Sequence, residues 1–130
     1  MKKESDDPFA WFAKAEMDLT LAQRAMEPEP LSELACYHAQ QCAEKYLKGY
    51  LKSRKLVFKW MHDLVYLVDV CATSDVSFQD LREDAVALTR LAEPSRYPGP
   101  DQPSVTLDDA RESLRIANRI RSFVIARTGS

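Results

Sequence analysis

A chain of 130 residues has room for one domain around one hydrophobic core, and its 45% apolar and 29% charged content excludes wholesale disorder. A net charge of -2 argues against a protein that coats nucleic acid by bulk electrostatics. Three glycines beside abundant Leu, Ala, Glu, Lys and Arg favour helices over strands.

The first helix is predicted to open at Asp7-Pro8, an N-cap followed by proline at the first helical position. Pro8, Phe12, Ala15, Leu19, Ala22 and Met26 recur at spacings of three and four, which is one apolar stripe, and Pro28 and Pro30 end it. A second helix is expected from about Leu31 to Arg54. Its stripe of Ala35, Ala39, Cys42, Tyr46 and Tyr50 is widened by Cys36, Ala43, Leu47 and Leu51, so the helix should pack on more than one side. Leu56 to Trp60 reads as a connector, and His62-Asp63 opens a short helix through Leu64, Leu67, Val68 and Cys71.

Ser77 with Asp80 resembles a capping box that would start the fourth helix, with Leu81, Ala85, Leu88 and Leu91 or Ala92 inside. The prolines and glycine between Pro94 and Pro103 read as a loop. Thr106 and Asp109 form a second cap pair before the last stripe, Leu107, Ala110, Leu114, Ala117, Ile120 and Val124. The predicted architecture is all-α, an up-and-down four-helix bundle with one additional short helix, and the whole chain, 1–130, is one domain.

Cys36, Cys42 and Cys71 form no CxxC and sit among helical apolar positions, so they are expected to be buried free thiols. The N-terminal MKKESDDPF lacks the apolar centre of a signal peptide, and no uncharged run reaches membrane-span length. The expected compartment is the cytoplasm.

Charge is unevenly placed. Between Glu44 and Trp60 the chain carries Lys45, Lys48, Lys52, Arg54, Lys55 and Lys59 against Glu44 alone, whereas Asp69 to Asp109 is acidic. Such a basic segment can bind phosphate, pair with the acidic helices, meet an acidic partner, or simply be solvated. On the second helix His38, Gln41, Lys45, Lys48 and Lys52 lie three or four apart and can share one face. That face could hold a nucleotide phosphate or an RNA backbone; alternatively His38 is a hydrogen-bonded core histidine and the lysines are solvated. His62 lies at a helix start, and Arg96 and Tyr97 stand where a helix meets a proline-rich loop, a position that can aim side chains into a cleft. Arg111, Arg115 and Arg119 make an i, i+4 ladder that is expected to be exposed. No P-loop, dinucleotide fingerprint or nucleophile triad occurs, and nothing completes a metal set around His38 and Cys42, so neither metal nor cofactor is expected.

Taken in order, Trp11-Phe12-Ala13-Lys14-Ala15-Glu16-Met17-Asp18-Leu19, Cys36-Tyr37-His38-Ala39-Gln40-Gln41-Cys42-Ala43-Glu44-Lys45, His62-Asp63-Leu64, Arg96-Tyr97-Pro98 and the helix of Asp109-Ala110 resemble the HEPN family (higher eukaryotes and prokaryotes nucleotide-binding domain). The resemblance implies a bundle of four or five helices, often dimeric, with a polar groove for nucleotide or RNA. It also implies a minimal nucleotidyltransferase as partner, in a pair that often behaves as a toxin–antitoxin system. Ribonuclease-active members carry an Arg followed, after about four to six residues, by a His. Here Arg96 is followed by Tyr-Pro-Gly-Pro-Asp-Gln-Pro, so that activity is not carried over. The resemblance therefore implies a non-catalytic or weakly catalytic protein that binds a nucleotide or RNA, a nucleotidyltransferase partner, or both, its site formed by the shared polar positions His38, Gln41, Lys45, His62, Arg96 and Tyr97. The competing readings are a divergent ribonuclease using His38 or His62, and a pure interaction module.

Overall fold

The computed structural model describes residues 4–101 and 104–128. Gln102 and Pro103 of the expected loop lie outside them. Five α-helices follow in order: α1 (Pro8–Arg24), α2 (Ser32–Ser53), α3 (Leu64–Ala72), α4 (Arg82–Arg96) and α5 (Leu107–Thr128). A 3-10 turn at Val76–Leu81 joins α3 to α4, and no strand occurs among the described residues.

α2 is the axis of the bundle, with α1, α3, α4 and α5 all packed against it. Its breadth of apolar surface follows from this: Ala35, Ala39, Ala43, Leu47, Leu51, Tyr46 and Tyr50 are all buried. The α1–α2 seam is tight because Gly49 faces Phe12, whose ring stacks on Tyr46 with centroids 5.5 Å apart. A Cβ at position 49 would fall 2.7 Å from Phe12 Cδ1. A smaller cluster of Ala25, Ala35, Cys36 and Ala110 closes the end of the bundle where α1 finishes and α5 begins.

Helix ends follow local chemistry. Asp7 accepts from the Phe9 N–H and Asp63 from those of Val65 and Tyr66. Thr106 and Asp109 cap each other reciprocally at 3.0 Å. The expected Ser77–Asp80 box does not form. Asp75 instead accepts from the N–H of Ser77 and caps the 3-10 turn, so α4 starts only at Arg82. Pro94 does not end α4 but lies within it, the third residue from its end, where it forgoes the N–H bond to the Arg90 carbonyl.

α2 ends in a Schellman motif, with the Leu56 N–H bonded to the Leu51 carbonyl at 3.0 Å and the Lys55 N–H to that of Lys52 at 3.1 Å. The residue in the left-handed conformation is Lys55, with φ 55°, where glycine would be free of strain.

Candidate functional site

The polar residues of α2 are divided among its neighbours. Asp18 is buried on the inner stripe of α1, three residues after Ala15 and four before Ala22. Its two oxygens meet His38 Nδ1 at 2.9 Å and Lys45 Nζ at 2.5 Å. Two of the expected ligand groups are thus held by one carboxylate, which accounts for the partial burial of both. His38 also lies edge-on to Tyr37.

A second cluster faces the connector between α2 and α3. Glu44, only 5% exposed in its side chain, accepts from Lys48 Nζ at 3.0 Å and His62 Nδ1 at 2.9 Å, both on Oε2. Gln40 Nε2 approaches Glu44 Oε1 at 3.4 Å and the His62 carbonyl at 3.5 Å. Gln41 Nε2 donates to Gln40 Oε1 at 3.1 Å and so leads from this cluster to the outer surface. Lys48 is fully buried, with its ammonium 4.0 Å from the centroid of Trp60 and 5.8 Å from that of Trp11. The expectation of an accessible His-Gln-Lys face is corrected at this position. A buried ammonium needs a partner, and Glu44 with the indole faces provides it. Because a carboxylate only accepts, the Nδ1 of His62 is the donor in this pair, on a ring that is itself exposed.

Lys52, the last member of the face, is directed elsewhere, to Glu4 at 2.8 Å and Asp6 at 3.3 Å. The arginine ladder of α5 is exposed as expected but paired: Arg115 with Glu112 and Asp84, Arg119 with Asp84, and Arg111 with Asp108. Asp84 therefore clasps α4 to α5.

Arg96 and Tyr97 differ from all of these. Arg96, in the last turn of α4, is half-buried and has no hydrogen bond or ion pair among the described residues. Tyr97 is 58% exposed and borders a cleft of about 340 Å³ shared with Glu33, Pro94, Pro98, Gly99, Ser104 and Val105. No described hydrogen bond or ion pair joins Arg96 or Tyr97 to His38, Gln41, Lys45 or His62. The route between them is α2 itself, because Glu33, Tyr37 and Gln41 follow at i, i+4 and i+8 on one stripe.

The three cysteines are buried and free. Burial pushes the Cys42 thiol up to about 12 and also raises Cys36 and Cys71, so none is a nucleophile near neutrality. Among the described residues no three His, Cys, Asp or Glu side chains are grouped as for a metal ion, and no helix is long and apolar enough to cross a membrane.

The HEPN domain model matches residues 9–127, nearly the whole chain. The chain belongs to the HEPN family. Among solved structures, the crystal structure of ST0689, an archaeal HEPN homologue, is 30% identical, with 98% of this chain and 99% of that one covered and a TM-score of 0.73. The crystal structure of TT1696 from Thermus thermophilus is 32% identical over 94% of this chain and 98% of that one, with a TM-score of 0.76. Among curated proteins none matches. Within this HEPN chain, sequence reasoning missed Asp18, Gln40 and Trp60 and counted Glu44 only as an isolated acid. An acid on the inward stripe of α1 and the Gln40, Glu44, Lys48 run at spacings of four were the readable signals.

Proposed function

We propose that this HEPN protein binds a phosphate-bearing ligand, a nucleotide or RNA, along the α2 stripe that runs from the Arg96–Tyr97 corner to Gln41 and His62. The observation that carries the reading is the state of Arg96. A half-buried guanidinium without a carboxylate partner among the described residues offers its donors to an incoming phosphate in fork geometry. Tyr97 supplies an exposed ring for a base, and Gln41 and His62 offer polar groups farther along. Lys45 and His38 take a different part from the one expected of them. With Asp18 between them they hold α1 against α2, and the Asp18 carboxylate offsets the Lys45 charge toward an anion.

The family supports a minimal nucleotidyltransferase as protein partner, a toxin–antitoxin setting and a homodimer, and these belong to the same proposal. The deciding measurement is binding of a short single-stranded RNA to Arg96→Ala and Lys45→Ala. Loss of roughly tenfold or more in the first, with little change in the second, supports the reading. Equal binding by Arg96→Ala and the parent overturns it.

One observation favours a second reading, residual RNA cleavage. His62 is exposed and oriented by a buried carboxylate, the arrangement that readies an imidazole for proton transfer. RNA that is cleaved by the parent and spared by His62→Ala would establish it. Cleavage that survives both His62→Ala and His38→Ala would reject both histidines.

A further inference from the structure

Lys52 sits in a second cleft, away from the Arg96–Tyr97 corner. This cleft holds about 500 Å³ between the N-terminal segment and the α2–α3 connector, and its walls are Glu4, Asp6, Lys52, Lys55, Leu56, Val57 and Phe58. The volume is that of a typical small-ligand site. Its chemistry is mixed, with two ammonium groups, an aromatic ring and two aliphatic side chains.

The two acids in it come from one place. Glu4 and Asp6 precede α1, and both direct a carboxylate to Lys52 Nζ, whose side chain is only 14% exposed. The ammonium lies 5.4 Å from the centroid of Phe58. Hydrogen bonding from Lys52 to Glu4 is the main cause that raises the Lys52 pKa, so the group stays charged at neutral pH. Glu4 is also imperfectly satisfied, because its Oε2 is buried without a donor among the described residues. An acceptor desolvated in this way is easily displaced, since leaving the cleft restores its water.

Lys55 gives the second argument. It stands in the left-handed position of the Schellman motif, where glycine would avoid backbone strain. A lysine there places a charged side chain on the cleft wall at a cost in stability. The partial negative charge at the C-terminus of α2 opposes an anion in this region, and the two ammonium groups outweigh it once Glu4 and Asp6 have left the cleft. A protein that needed only a helix stop would gain from glycine; a protein that needs a cation beside Lys52 would keep lysine.

We infer that this cleft is an anion-binding site for a phosphorylated small molecule of mononucleotide size, masked by the protein's own N-terminal carboxylates. Lys52 and Lys55 meet the phosphate, Phe58 and Val57 pack the apolar part, and Glu4 and Asp6 occupy the phosphate position until the ligand displaces them. An acidic peptide would satisfy the lysines too, but the limited volume and the Phe58 face favour a compact ligand. The site is independent of Arg96, and the inference does not rest on the reading given above.

The test is titration of the full chain with AMP and with inorganic pyrophosphate by calorimetry at low and moderate salt. In an Arg96→Ala background, which removes the other candidate site, binding to the Lys52 cleft is expected to remain. The Glu4→Gln, Asp6→Asn double variant should bind roughly two- to tenfold more tightly, because the masking groups no longer compete. Lys55→Gly should raise the unfolding midpoint while weakening binding, a pairing that a purely structural lysine cannot give. In the Arg96→Ala background, Lys52→Met should abolish the remaining binding. Undiminished affinity when Lys52→Met is added to Arg96→Ala, no tightening on removal of the two carboxylates, or binding of an acidic peptide but of neither phosphate probe would each overturn the inference.

Discussion

The middle of α2 and the corner at the end of α4 carry similar residue types in opposite states. In the first, Asp18, Glu44 and their basic partners satisfy one another, and Lys48 has no contact with solvent at all. In the second, Arg96 has no acidic partner among the described residues and Tyr97 stands in the open. Charges that are paired and buried specify how helices seat against each other; a cation left without a carboxylate is available to something else. The difference separates architecture from ligand contact in a chain whose net charge shows neither.

The largest expected effect breaks the paired region. Lys48→Met removes an ammonium and leaves Glu44 buried with His62 and Gln40 as remaining donors. Loss of one member of a buried pair costs about 3 kcal/mol or more, readable as a lower urea midpoint at constant slope. Lys48→Met combined with Glu44→Leu should recover a good part of that loss, because both charges then leave the interior together. A single variant as stable as the parent would show that the pair is not buried in solution.

Gly49→Ala tests the neighbouring seam by size instead of charge. The added methyl meets the Phe12 ring, which is itself held by Tyr46 and Phe9, so the ring cannot simply swing aside. Overpacking of this kind costs about 1–3 kcal/mol, and thermal unfolding of the single variant measures it.

Acid should loosen the same seam by a smaller amount. Burial tends to raise the Glu16 carboxyl, but hydrogen bonds from Tyr46 and Arg121 outweigh it and hold the pKa below its usual value. A depressed carboxylate stabilises the fold above its unfolded pKa of about 4.3, and that contribution disappears as pH falls through the folded value. Glu16 joins α1 to α2 and α5 through these two partners. Because its side chain is 45% exposed, screening limits the effect to about 1 kcal/mol. The stability gap between the parent and Glu16→Gln should therefore be present at pH 6 and shrink as pH falls through the lowered folded value; a gap that does not shrink in acid would rule out the ion pair as its source.

The helices themselves were legible because each is bounded by local chemistry and striped at helical spacing. Asp7-Pro8, Asp63 and the Thr106–Asp109 pair act as read. The start of α4 was not, since Ser77 and Asp75 are both able to cap and only the 3-10 geometry selects Asp75. The candidate site was legible in its residues but not in its grouping. Periodicity placed His38, Lys45, Lys48 and Lys52 on one broad face, yet a helix packed on several sides divides such a face among its neighbours. Asp18 takes His38 and Lys45, Glu44 takes Lys48, and the N-terminal segment takes Lys52. Long-range partners of that kind have no signature in local spacing.

The smallest expected effect on stability sharpens the comparison most. Arg96→Ala removes a half-buried side chain that has no ion pair or hydrogen bond among the described residues. Its loss should leave the unfolding free energy within about 0.5 kcal/mol of the parent, as for a substitution away from caps, core and charge networks. If Arg96 instead anchored the proline-rich segment by packing its methylenes, the same change would cost more and Arg96→Met would restore it. Arg96→Lys separates the remaining alternatives, because it keeps the charge and loses the fork. A ligand that needs only charge would bind to Arg96→Lys as to the parent, whereas bidentate phosphate recognition would fall toward the level of Arg96→Ala. The corner is a binding element when stability is unmoved by all three variants and affinity follows the guanidinium.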